Sequence, residues 1–319
     1  MIKINLYSRK KLGVIGMSEA VLIVNPSSGN EEAQNLAGAV EEKLAGNYDK
    51  VTVKFTEKSG DAAQFAKTAA EERVSAVFVM GGDGTVNEGI NGLAEQEYRP
   101  DFSFIPLGTV NDLGRALGIS MDPQEAIAQL DSLESKKLDI GKINDHYFAN
   151  VVAIGTIPQA VQKVDAEQKT KLGPLAYFLE GAKTLSNSEA YTFEFELDEE
   201  KISQESTLIL VALTNSVGGF ESLLPQARID DGYLHLLALK GNTIVDKLKI
   251  IPKIFTGEAI EDEKVVYRQF KTGTIKIEET QKLVANVDGD EGDALPLTLQ
   301  VLPQHLNVLA PKSSNNTSK

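Results

Sequence analysis

The 319-residue chain has no cysteine and no tryptophan. Lack of cysteine excludes disulfides and thiolate chemistry and suits a reducing, cytoplasmic setting. The three histidines, His146, His235 and His305, are too far apart for a metal-ligand spacing, so each is read as a structural or surface residue. No apolar run approaches the roughly 20 residues needed to cross a bilayer. Positive charge is scarce: 32 basic against 46 acidic residues leave a net charge of −14. That balance argues against nucleic acid as a main partner and leaves only a local basic patch for contact with anionic membrane. There is no Gly-x-x-x-x-Gly-Lys-Ser/Thr, so the lysine cradle of that nucleotide-binding class is missing.

The chain does hold an apolar run, Val74–Val79, that leads into Met80-Gly81-Gly82-Asp83-Gly84-Thr85-Val86-Asn87-Glu88. An apolar run bounded by glycines reads as a buried strand. Three glycines around one aspartate give a turn whose backbone can approach a ligand closely. Thr85 to Glu88 matches a capping box, which places a helix start at Thr85. Strand, glycine turn and helix N-terminus together form a phosphate site. Asp83 beside a phosphate requires a cation or a proton to mediate, which points to a Mg-nucleotide.

Around this stretch the pattern repeats. Ala20–Val24 is a short buried strand that ends in Asn25-Pro26-Ser27-Ser28-Gly29, and a helical spacing follows from Glu31 to Leu44. Val51–Phe55 is a strand, Thr56 to Gly60 a turn, and Asp61 a cap for a helix from Ala62 to Glu72. A fourth strand, Phe102–Ile105, runs into Pro106-Leu107-Gly108-Thr109-Val110-Asn111-Asp112. Repeated β-α units favour a parallel sheet covered by helices, whose ligands lie at the carboxyl ends of the strands. Asn25, Thr56, Gly82–Thr85 and Thr109 then share one rim.

After about Asp139 the alternation changes. Tyr191–Leu197 alternates strictly, and Thr207–Leu213, Tyr233–Leu239, Thr274–Ile277, Leu283–Val287 and Leu295–Val301 continue a strand-rich region. Helical patterns interrupt it at Leu175–Leu185 and Ile244–Phe255. The expected division is an N-terminal extension (1–17), an α/β domain (18–139), a β-sandwich (140–305), a strand at 306–311 that returns to the first domain, and a disordered tail (312–319). Deleting residues 1–16 is expected to leave activity intact.

Five motifs in this order resemble the diacylglycerol kinase catalytic-domain family of soluble bacterial lipid kinases. They are Asn25 to Gly29, Gly81 to Glu88, Pro106 to Asp112, Ala227-Arg228-Ile229-Asp230-Asp231-Gly232-Tyr233 and Asn286-Val287-Asp288-Gly289-Asp290. The resemblance spans about Ser18 to Pro311. It implies a Rossmann-like α/β domain, similar to those of phosphofructokinases and NAD kinases, followed by a β-sandwich that takes a lipid substrate. It implies that Asn25, Pro26, Ser27, Ser28, Gly29, Thr56, Gly82, Asp83, Gly84, Thr85, Val86, Asn87, Glu88 and Thr109 hold ATP, with Asp83 on the nucleotide's Mg²⁺. A second, structural Mg²⁺ would sit on Asp231 and the backbone carbonyls of Arg228 and Tyr233. Asp112, Arg115 and Asp139 match the family's charged network.

The family's last motif usually ends Asp-Gly-Glu, whereas this chain reads Asp288-Gly289-Asp290, followed by Glu291. Asp290 is assigned as the general base, supported by Asp288. The resemblance also implies peripheral contact with a membrane surface and a homodimer. The basic, apolar stretch Lys240–Gly257, with Lys247, Lys249 and Lys253, and the apolar loop Phe220–Pro225 are candidates for the lipid-facing surface. Diacylglycerol is the expected acceptor; another lipid alcohol (phosphatidylglycerol or a sphingoid base) and NAD remain as alternatives.

Overall fold

A computed structural model describes residues 17–29, 32–155, 190–221, 223–240, 250, 253, 256–278 and 282–312. The extension up to residue 16, the helical pattern at Leu175–Leu185, nearly all of that at Ile244–Phe255 and the tail from Ser313 lie outside the described residues. The chain divides into two compact units. The first comprises residues up to Gly108, Ile119–Lys136 and those from Asn307 on; the second comprises Thr109–Gly118 and Lys137–Leu306.

The first unit is α/β. Its strands are β1 (Glu19–Val24), β2 (Lys50–Phe55), β3 (Ala76–Gly81) and β4 (Asp101–Pro106), with helices α1 (Glu32–Ala45), α2 (Asp61–Glu71) and α3 (Asp83–Leu93) between them. The strands are parallel in the order β4-β3-β1-β2, and the end of the last strand runs parallel to β4, with Val308 opposite Phe102. β3 is buried at every position and β1 at all but its first, as strands covered on both faces must be. Register aligns the carboxyl ends: Val24 pairs with Phe55 and Met80, and Gly81 with Pro106. Small residues let the helices close in. A Cβ on Gly92 of α3 would lie 2.2 Å from the Ala63 carbonyl oxygen of α2. Helix α5 (Pro123–Gln129), which the sequence reading missed, starts on Asp122, whose carboxylate accepts from the Glu125 amide.

The second unit is built largely of antiparallel strands. After helix α4 (Asp112–Leu117) it contains β5 (Leu133–Ile143, from Lys137 on), β6 (His146–Phe148), β7 (Val151–Gly155), β8 (Tyr191–Leu197), β9 (Glu200–Ala212), β10 (Leu234–Lys240), β11 (Val265–Phe270), β12 (Thr272–Ile277), β13 (Val284–Val287), β14 (Asp290–Ala294) and the start of β15 (Leu297–Pro311). Alternation works as expected on β8, where Phe193, Phe195 and Leu197 are buried and the glutamates between them are exposed. Strands β7 and β10, and β9 from Ser206 on, are buried on both faces, and they feed two cores. One gathers Phe148, Val152, Ile154, Phe193, Phe195, Leu236 and Phe270; the other gathers Val151, Ala153, Leu223, Leu224, Leu237, Leu239 and Val265. Continuous burial hides the period of two on β7, and β11 sets its exposed Arg268 and Gln269 side by side, so neither strand alternates. The two strands expected at Leu295–Val301 and 306–311 are one, β15.

Candidate functional site

In the first unit the aligned strand ends bring Asn25, Thr56 and Gly82–Thr85 to one rim. Asn25 is the hub. Its amide donates to the Met80 carbonyl (2.9 Å), its Oδ1 accepts from the Ser27 amide (3.1 Å), and its Nδ2 donates to Thr85 Oγ1 (3.0 Å). The loop after β1 is thereby tied to the first turn of α3. Gly29 ends that loop at φ +64°, a left-handed conformation that favours glycine.

The helix begins two residues earlier than the capping-box reading placed it. Asp83 is its first residue, Gly82 the N-cap, and no side chain caps it. An N-terminus without a side-chain cap has amides that can face an anion. Thr85 is engaged with Asn25 instead, and it lies so close over Gly81 that an added Cβ there would be 2.5 Å from Thr85 Cβ. A Cβ on Gly82 would lie 3.2 Å from Gly108 Cα, so two glycines let the β3 and β4 loops approach.

Glu88 serves a different helix from the one its motif suggested. Its Oε1 accepts from Ser59 Oγ (3.0 Å) and the Gly60 amide (2.9 Å), and its Oε2 from the Ala62 amide (3.2 Å). It therefore supplies from α3 the acceptor that α2 lacks, since Gly60 offers no side chain. Asp61 likewise lies inside α2, not before it, and its carboxylate accepts from the Glu57 and Lys58 amides. Those two amides hold Asp61 below the usual carboxylate range. Together Glu88 and Asp61 fix the loop that carries Thr56.

Thr109, expected on the same rim, belongs to the second unit. There Asp112 accepts from Ser216 Oγ (2.7 Å) and the Gly218 and Gly219 amides (2.7 and 2.8 Å). Arg115 donates to the Val110 carbonyl and approaches Glu221 at 3.4 Å. Asp139 instead accepts from the Gly232 and Gln304 amides, both at 2.6 Å. Through these bonds, the expected charged network becomes two anchors, one on the 214–221 loop and one on the 228–235 loop. Leu223 and Leu224 are buried in a core, so the apolar character of Phe220–Pro225 serves packing there. Lys253 pairs with Asp262 at 2.6 Å, and Lys247 and Lys249 lie outside the described residues.

The hairpin β13–β14 turns on Asp288 and Gly289, at φ +49° and +101°, the mirror-image two-residue turn that Asp-Gly favours. Asp288 is only 8% exposed, and its carboxylate takes three amides: Ala149 (2.7 Å), Asn150 (3.0 Å) and Val151 (2.7 Å). It is a clamp, with its acceptor capacity directed inward. Asp290 opens β14 opposite Val287 and is exposed. Asp290 and Glu291 are consecutive on a strand and project to opposite faces, so they cannot substitute for one another in place.

The loop Arg228–Tyr233 closes on Asp231. Its Oδ2 accepts from the Arg228 amide (2.9 Å) and faces His235 Nε2 (3.0 Å), while its Oδ1 accepts from the Tyr233 amide (3.0 Å). Burial opposes ionisation of Asp231, but the His235 bond, the Arg228 amide, the His235 charge and the Tyr233 amide outweigh it and hold the group below its ordinary value. Asp139 is shifted the other way: burial raises it against its two amide bonds, and the charges of Asp231 and Asp230 add to the rise. Among the described residues no three acidic, histidine or cysteine side chains gather as a metal cage. A cation here would draw on one Asp231 oxygen, backbone carbonyls and water, a donor set that suits Mg²⁺. It would also relieve the like charge that raises Asp139. The sequence reading missed His235 and Tyr267, whose contacts complete this loop; a histidine inside a strand of leucines was the available signal.

Comparison with known proteins agrees with both halves of this description. The diacylglycerol kinase catalytic-domain model matches residues 19–143, and the YegS C-terminal NAD kinase beta sandwich-like domain model matches residues 150–310. The chain belongs to the diacylglycerol kinase family. A diacylglycerol kinase of Staphylococcus carnosus is 37% identical over 298 residues, covering 93% of this chain and 97% of its own. One from Staphylococcus aureus is also 37% identical, over 93% of this chain and 94% of its own. A crystal structure of a diacylglycerol kinase from Bacillus anthracis superposes with a TM-score of 0.77 at 28% identity, covering 93% of this chain and 98% of that one. This family's α/β domain and β-sandwich are the architecture described above. Among the described residues, no helix is long and apolar enough to cross a membrane.

Proposed function

We propose that this lipid kinase transfers the γ-phosphoryl group of ATP to the free hydroxyl of diacylglycerol, giving ADP and phosphatidic acid. The observation that carries the reading is the N-terminus of α3, without a side-chain cap and with Asp83 in its first turn, beside the loop that Asn25 organises. Backbone amides of Gly82–Thr85 bind the phosphates, and Ser27, Ser28 and Gly29 line the neighbouring loop. Asp83 would hold the Mg²⁺ of the nucleotide, and the Arg228–Tyr233 loop would hold a second Mg²⁺ through Asp231 and backbone carbonyls. The chemistry such an ion would supply is neutralisation of phosphate charge.

Asp290 accepts the acceptor's proton as its oxygen bonds to the γ-phosphorus and the bond to the β–γ bridging oxygen breaks. Asp288 holds the turn that carries Asp290 in place and takes no proton. The test is a labelled-ATP assay in mixed micelles against diacylglycerol, phosphatidylglycerol, sphingosine and NAD. Label in phosphatidic acid is the expected result. Label in another lipid or in NADP with none in phosphatidic acid overturns the choice of acceptor, and no transfer to any overturns the kinase reading.

A further inference from the structure

His235 occupies a position in β10 that packing alone would give to leucine. Leu234, Leu236 and Ala238 enter one core, and Leu237 and Leu239 enter the other, on the face His235 shares by alternation. The imidazole is 0% exposed. Burying it is costly unless both nitrogens are bonded. Both are: Nε2 is 3.0 Å from Asp231 Oδ2, and Nδ1 is 2.8 Å from the Tyr267 hydroxyl. An ionised carboxylate only accepts, so Nε2 carries a hydrogen and donates to Oδ2, while Nδ1 shares a hydrogen bond with the Tyr267 hydroxyl. A chain of contacts, Tyr267 to His235 to Asp231, results.

The chain ends on one oxygen only. Oδ2 receives His235 and the Arg228 amide, whereas Oδ1 receives the Tyr233 amide alone. A carboxylate offers about four acceptor positions, so Oδ1 retains the greater capacity. We propose that His235, backed by Tyr267, is a positioning residue for a divalent cation: it fixes Oδ2 to the protein so that Oδ1 is presented to the metal in the Arg228–Tyr233 loop. The inference rests on the reading of that loop as a Mg²⁺ site. Partners that orient metal ligands in this way typically change metal affinity about 10- to 100-fold when removed. Packing gives no reason for the imidazole, since leucine would need no partners and Asp231 would keep both amides.

The experiment is thermal unfolding of the nucleotide-free protein titrated with MgCl₂ at constant ionic strength, which reads this site without turnover. The wild-type Tm should rise with Mg²⁺, and the Asp231→Asn response should be flat. His235→Leu should fold, but its half-saturating Mg²⁺ should move up about 10- to 100-fold. His235→Gln, which keeps an N–H donor, should move less. Tyr267→Phe, which removes only a hydroxyl, should shift in the same direction and serves if His235→Leu does not fold. A wild-type Mg²⁺ response in His235→Leu, or in Tyr267→Phe where that variant stands in, overturns the positioning role. A wild-type protein whose Tm is indifferent to Mg²⁺ overturns the cation site itself, and the inference with it, by a visibly different result.

Discussion

Val151 and Asp288 bind each other twice: the Asp288 amide donates to the Val151 carbonyl (2.9 Å), and the Val151 amide donates to Asp288 Oδ1 (2.7 Å). This closed pair fastens the turn that carries Asp290 to the first residue of β7. It separates the two aspartates into a structural group and a chemically available one, although they are only two residues apart.

Asp288→Asn should therefore fail by unfolding and Asp290→Asn by turnover. The first replaces one acceptor oxygen with an amine that faces backbone donors, at a cost of roughly 3 kcal/mol. The second changes an exposed side chain and should leave stability within about 0.5 kcal/mol, while turnover falls about 10²- to 10⁴-fold. Urea melts and initial rates on the same preparations check both. Near-normal turnover in Asp290→Asn would remove it as base.

Asp83→Ala is expected to abolish transfer to lipid with the fold intact. The readouts are circular dichroism and the Mg²⁺ dependence of nucleotide affinity by calorimetry. Retained, Mg²⁺-dependent ATP affinity in the variant would sink the assignment of Asp83 to the nucleotide's metal.

Gly81→Ala should disturb the nucleotide rim from beneath. Its methyl would meet Thr85, which must move and so give up its bond to Asn25. Overpacking of this kind costs about 1–3 kcal/mol. ADP affinity should fall as well, and an unchanged ADP Kd would show that the Asn25–Thr85 tie does not organise the site.

Glu88→Ala removes the acceptor for Gly60, Ala62 and Ser59 at the start of α2. Loss of a helix cap costs about 1 kcal/mol, and loosening of the Thr56 loop should raise the KM for ATP several-fold with a smaller effect on kcat. An equal loss in kcat with KM unchanged would place Glu88 in the chemistry instead.

Asp139 gives a pH signature. Burial and the neighbouring Asp231 and Asp230 raise its folded value, so the folded state binds the proton more tightly than the unfolded chain does. Its contribution is then fully present below the unfolded pKa near 4 and is lost as pH rises through the folded value. Against Asp139→Asn, which cannot titrate, the wild type should lose relative stability across that interval and run parallel above it. Urea melts from pH 4 to 7 measure the difference, and an opposite slope would contradict the raised value.

Much of the α/β half was legible because its signals are local. Apolar runs give way to Asn25, Thr56 and Gly82 after Val24, Phe55 and Gly81, and those ends are the rim. The capping box at Thr85–Glu88 misled because its two residues look to other elements, Thr85 to Asn25 and Glu88 to α2. Similar long-range partners split Asp112 from Asp139. In the second unit, β8 was read to the residue because one of its faces is exposed, while β7 and β11 lacked a polar alternation to count.

By itself, the sequence determined the order of β-α units, the strand-rich second half and the presence of carboxylates at Asp83, Asp231, Asp288 and Asp290, because spacing and residue type are properties of neighbours. Only the tertiary structure decided what each carboxylate does. Asp288 is consumed by three amides from residues 137 to 139 positions away, Asp290 is left exposed beside it, and Asp231 is held by a buried histidine that itself needs Tyr267. The role of a charged group depends on which donors reach it, and those donors arrive from distant strands.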